Sequence, residues 1–145
     1  TDQATLAALA NAWEKFNLIH VRSHGKRVGE VHLPVLADGV WELPFTQEGN
    51  PTLVLAACRT GASVARGLDT FGCVELAERS GVRSTVAPVV SVDGHATLAW
   101  MEPFYRSIES GNHVAEAAKH ASLSARQSLL HPAFWAQFAV FGGAS

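Results

Sequence analysis

Pro51-Thr52-Leu53-Val54-Leu55-Ala56-Ala57-Cys58-Arg59-Thr60-Gly61 decides how the chain is read. Leu53 to Ala57 are all apolar and run straight into a cysteine, with proline on one side and glycine on the other. A short apolar run bounded by turn residues predicts a strand buried on both faces, as strands of parallel sheets are. Open parallel sheets carry their chemistry beyond the carboxyl ends of the strands, which is where Cys58 falls.

Asn17-Leu18-Ile19-His20-Val21-Arg22-Ser23-His24-Gly25 has the same build, a strand-like run ending in His-Gly. If the two strands are parallel neighbours, His24 and Cys58 emerge on one edge of the sheet. An imidazole beside a thiol can take its proton, and the thiolate is the nucleophile. The competing reading of Cys58 is packing, because free cysteine is among the most buried residue types. Residue chemistry alone leaves both open.

Composition narrows the classes. Of 145 residues, 48% are hydrophobic and 17% charged, so the chain can bury a sizeable core. No apolar stretch reaches the roughly 18 residues of a membrane span, and no basic-then-apolar leader is visible. The chain begins with Thr1 rather than Met, so an excised fragment or processed product of a longer protein is expected. A net charge of −2 supplies no electrostatic footprint for nucleic acid or an anionic membrane. Two cysteines, Cys58 and Cys73, make no disulfide scaffold, and a reducing cytoplasm is the simpler setting. Cys73, between Gly72 and Val74, reads as core. His20, His24 and His32 lie close together and a strand sets His20 and His24 on one face, but no CxxC or carboxylate cluster accompanies them. No metal and no cofactor is expected.

Along the chain, Leu6, Leu9, Trp13 and Phe16 predict a helix over 3–16 with Asp2 as N-cap. A strand follows over 17–23. Residues 26–46 read as an antiparallel hairpin or long loop turning at Ala37-Asp38-Gly39, with Trp41 as core rather than cleft lining. Gln47 to Pro51 is a polar loop before the central strand at 53–57. Leu68, Phe71, Val74 and Leu76 predict a helix over about 64–80, closed by Gly81. A third strand spans 84–92, with Pro88 marking a bulge or sheet edge. Asp93 caps a helix over about 95–110 that Pro103 kinks or breaks near Glu102. Asn112 caps another helix to about 128, His131-Pro132 ends it, and a last strand covers 136–141. No repeat appears. Strands alternating with helices predict one α/β domain over residues 1–145.

Several of these stretches resemble the CHAT family, the caspase-like domains associated with tetratricopeptide repeats, which group with caspases, separases and gingipains. Ile19 to Gly25 is similar to the strand ending in that family's catalytic His-Gly. Leu36-Ala37-Asp38-Gly39 is similar to its small strand pair, and Leu53 to Gly61 to its cysteine strand. Phe104-Tyr105, Gly111 and the Ala-rich helix resemble its later helices, and His131 to Phe138 its closing strand. The resemblance implies a caspase-type, mostly parallel α/β sheet flanked by helices, with an inserted β-hairpin. The family's first strands have no counterpart here, so the chain resembles the C-terminal part of such a domain. A regulatory domain or partner chain supplying those strands, or a dimer contact, is expected at the open edge.

The resemblance also implies chemistry. Cys58 attacks a peptide carbonyl of a protein or peptide substrate, His24 serves as general acid and base, and the backbone N–H groups of Gly25 and Cys58 form the oxyanion hole. Many relatives read a basic side chain with an acid two residues before the cysteine, where this chain has Ala56. Others use an acid after the third strand, where Asp93 stands, followed by Gly94 instead of a second acid. Asp93 is thus a candidate substrate-binding residue, with helix capping as the stronger reading. Arg59 reads as a surface residue. The family and an Ala-, Val- and Arg-rich composition suggest a bacterial source. The expected function is a cysteine endopeptidase under the control of an attached sensor or repeat domain. An inactive CHAT-like scaffold is the alternative, and acyl transfer on the same dyad a weaker one.

Overall fold

A computed structural model describes residues 4–42, 49–66 and 69–143. Its elements are α1 (Leu6–Lys15), β1 (Leu18–Arg22), β2 (His24–Val28), β3 (Val31–Leu36), β4 (Gly39–Val40), β5 (Thr52–Ala56), β6 (Ser63–Arg66), β7 (Asp69–Gly72), α2 (Cys73–Arg79), β8 (Ser84–Pro88), α3 (Gly94–Glu109), α4 (Val114–Ser128), α5 (Pro132–Trp135) and β9 (Phe138–Gly142). The main sheet has the order β1-β5-β8-β9. β1, β5 and β8 run parallel, and β9 closes the sheet antiparallel to β8. A small sheet, β2-β3-β4, and a hairpin, β6-β7, stand apart from it. The mixed α/β architecture, mostly parallel and flanked by helices, is that of a caspase-like fold.

β5 is buried at every position because both its faces are covered. Strand alternation sends Leu53 and Leu55 to one side, where they join Ile19 and Val21 of β1, Leu9 and Trp13 of α1, Leu33 of β3 and Val74 of α2. Trp13 and Trp41 meet edge to face in this layer, with ring centroids 5.7 Å apart. Val54 and Ala56 point the other way, against Trp100 and Phe104 of α3 and Ala117, Ala121 and Ala125 of α4. The alanines let α3 and α4 approach closely, and the Trp100 indole N–H donates to Ser122 Oγ at 3.0 Å. The two layers grip the central strand from both sides and fix where its carboxyl end lies.

The structure departs from the sequence reading in several places. α1 starts later, at Leu6, and Thr5 is its N-cap, its hydroxyl accepting from Ala8 N–H. Asp2, Leu43, Phe45 and Leu68 lie outside the described residues. The region read as one hairpin contains two turns, because β2 leaves the His-Gly and pairs with β3 before the Ala37-Asp38 turn leads to β4. The helix expected from about 64 is a β-hairpin followed by the short α2. β8 ends at Pro88, four residues early. α3 runs through Pro103 without a break. The N-cap of α4 is His113, while Asn112 donates its side-chain amide to Ser107 Oγ. His131 caps the short α5. No helix among the described residues is long and apolar enough to cross a membrane.

Candidate active site

β1 and β5 are parallel neighbours with a constant register, ending at Arg22 opposite Ala56. The Ser23 N–H still donates to the Ala56 carbonyl, at 3.3 Å. His24 and Cys58 each lie two residues beyond these strand ends, His24 opening β2 and Cys58 in the turn after β5. Its Sγ lies 4.0 Å from the Val92 carbonyl oxygen, just before α3. The thiol is half-buried, and His24 is exposed at the start of β2.

Gly25 ties the two segments together. A Cβ at this position would overlap the Cys58 carbonyl oxygen and lie 3.2 Å from the Cys58 nitrogen. Only glycine admits this approach of backbone to backbone. The ladder also frees the Gly25 N–H. Gly25 stands opposite Pro34, whose carbonyl accepts from Trp41 N–H at 2.9 Å on the β4 side. In an antiparallel strand a residue's N–H and C=O point to the same side. Gly25 and Pro34 therefore form a non-hydrogen-bonded pair, and the Gly25 N–H points away from β3. Among the described residues no backbone carbonyl accepts from the Cys58 N–H. Among the described residues, neither amide thus has a backbone partner.

The turn carrying Cys58 is fixed by its own hydrogen bonds. Buried Thr60 donates its hydroxyl to the Ala57 carbonyl at 2.9 Å. Arg59 N–H donates to Val90 O at 3.2 Å, and Gly61 N–H to Pro88 O at 2.9 Å. Arg59 adopts φ +60°, and no other non-glycine residue described has a positive φ. Backbone in this sparsely populated region clusters at functional sites.

The family model for the CHAT domain matches residues 1–143. The chain belongs to the CHAT domain family. CHAT domains are caspase-like and related to peptidases. No curated protein matches the chain.

Within this CHAT domain, Gly25, the residue after His24, packs on the Cys58 backbone. Asp93 follows Val92 and so lies near the thiol along the chain, but its Oδ1 accepts from His95 N–H at 2.9 Å and Ala96 N–H at 3.1 Å, capping α3. Cys73 is buried at the start of α2, and burial, with the Glu75 carboxylate beside it, pushes its thiol up to about 12. It is a packing residue. His20 takes no part in the pair. It stacks on Tyr105 at 5.6 Å, and burial, then Arg22, lower its pKa below 6.5. Among the described residues no three His, Cys, Asp or Glu side chains are grouped to hold a metal ion.

The sequence reading missed a cleft of about 280 Å³ lined by Arg27, Glu30, His32, Arg59, Ala62 and Ser63. One signal was present: in a strand starting at His24, Gly25 and Arg27 share a face. That signal needed β2 to be recognised as a strand.

Proposed function

We propose that this CHAT domain is a cysteine endopeptidase acting on protein substrates through a His24–Cys58 dyad. The observation that supports the reading is the close packing of Gly25 on the Cys58 backbone, where parallel β1 and β5 end two residues short of His24 and Cys58. In the mechanism, His24 takes the proton of Cys58 Sγ and the thiolate attacks the scissile carbonyl carbon. The C=O electrons move to oxygen, and the oxyanion is held by the N–H groups of Gly25 and Cys58. The tetrahedral intermediate collapses, the C–N bond breaks, and His24 passes its proton to the leaving amine. Water, deprotonated by His24, then attacks the thioester; the C–S bond breaks, the new carboxyl terminus leaves and Cys58 regains a proton.

The edge strand β1 favours control from outside the described residues. Its outer side carries unpaired backbone groups among those residues, a template for an added strand. A regulatory domain or partner segment docking there would set the angle of the His24 strand. The two free thiols favour a reducing, cytoplasmic setting.

The test is cleavage of a proteome-derived peptide library, read by mass spectrometry of new termini. The wild-type chain is expected to generate a defined set of termini that vanishes in Cys58→Ala. No new termini, or the same set from Cys58→Ala, would turn the reading toward a non-catalytic scaffold.

A further inference from the structure

The cleft beside Cys58 is cationic in a chain that is acidic overall. The net charge is −2, yet the cleft gathers two guanidinium groups and an imidazole against one carboxylate, Glu30. Backbone register explains the gathering. Gly25 pairs with Pro34 and Arg27 with His32, so the face of the small sheet that meets the Cys58 backbone continues into Arg27 and His32. Arg59 comes from the other wall, immediately after the thiol, with its backbone turned to φ +60°.

Two of the side chains are held in place. Arg27 Nε donates to the Gly29 carbonyl at 2.9 Å, which anchors one edge of its guanidinium. The Ser63 hydroxyl is taken by Glu75 Oε1 at 2.7 Å. Like charges placed together oppose folding unless something offsets them. Their mutual field is visible at His32, whose pKa is lowered below 6.5 by burial, then by Arg59 and then by Arg27. The ring is thus neutral at neutral pH, and the standing positive charge belongs to the two arginines.

The geometry points to a carboxylate subsite: Arg27 and Arg59 receive an Asp or Glu side chain of the peptide substrate close to the scissile bond. The assignment rests on the peptidase reading and adds a substrate class to it. A planar guanidinium matches a carboxylate in a bidentate fork, which makes arginine suited to reading an acid. The cleft has room for such a side chain, and one of its walls is Arg59, the residue after Cys58. A free C-terminal carboxylate has the same chemistry, so the test separates the two sources.

The experiment uses the Cys58→Ala chain and fluorescein-labelled hexapeptides with amidated C termini, made in pairs with Glu or Gln at one position, together with the Lys version of each and the Gln peptides with a free C-terminal carboxylate. Binding is read by fluorescence anisotropy. The Glu member of at least one pair is expected to bind about tenfold more tightly, as one charge-assisted contact allows. The difference is expected to disappear in Arg59→Gln and in Arg27→Gln, each folded by circular dichroism. Equal binding of Glu and Gln at every position would overturn the subsite, as would a difference that survives both arginine changes. Gain only from a free C-terminal carboxylate would also overturn the side-chain assignment. Preference for Lys over Gln would hand recognition to Asp93. Because the Cys58→Ala chain binds without turnover, these outcomes do not depend on catalysis. If the wild-type chain binds a Glu peptide and leaves it uncut, the peptidase reading fails while the subsite stands.

Discussion

At Arg59 the backbone is held at φ +60°, where a Cβ crowds the following carbonyl. For an L-residue other than glycine this costs roughly 1–2 kcal/mol. The turn tolerates it because the Arg59 and Gly61 amides and the Thr60 hydroxyl are all tied to neighbouring carbonyls. Glycine would relieve the strain but remove the guanidinium. Arg59→Gly is expected to stabilise the chain by about 1 kcal/mol, less a small entropic loss. In urea denaturation this appears as a higher midpoint at unchanged slope. An unchanged or lower midpoint would mean that the turn stores no strain. Gly25 is the opposite case, a position where any side chain meets the Cys58 backbone. Both the His-Gly and the cysteine were legible as residues, since each closes an apolar run. The role of Arg27 was not legible, because it depends on a cross-strand partner, His32, and on a turn more than thirty residues away.

The elements that carry the site were the readable ones. β5 and β8 are buried at every position, and β1 and β9 flank them as mostly apolar runs bounded by turn residues. The small sheet and the β6-β7 hairpin were harder. Leu68, Phe71 and Val74 happen to fit helical spacing, and the glycines at 61, 67 and 72, poor residues for a helix interior, were the contrary signal. Capping was misjudged where the partner is remote: the Asp38 carboxylate accepts from Leu6 N–H at 3.0 Å across 32 residues. Asp93, by contrast, caps locally and was legible as a cap. Its Oδ1 satisfies two amides at the start of α3, the helix whose preceding residue, Val92, faces Cys58 Sγ. Asp93→Ala is expected to lower stability by about 1 kcal/mol, measured by urea unfolding. A loss within a few tenths of a kcal/mol of zero would show that the cap contributes nothing and would free Asp93 for a substrate role.

Across the whole molecule, two apolar layers clamp one sheet, and the chemistry sits at its carboxyl edge. Leu53 and Leu55 are locked from one side and Val54 and Ala56 from the other, so Cys58 emerges from a strand buried at every position. The family model matches residues 1–143, and β1 runs parallel to β5 up to Arg22 opposite Ala56. Cys73, its thiol pushed up to about 12, stays silent toward electrophiles until the chain unfolds. That contrast permits a clean measurement: the rate of iodoacetamide alkylation from about pH 5 to about pH 9, on a Cys73→Ala background, with and without His24→Ala. At neutral pH, Cys58 is expected to react at least about tenfold faster with His24 present than without it. Equal rates in the two proteins would mean that His24 does not activate Cys58 and that no dyad exists in this chain.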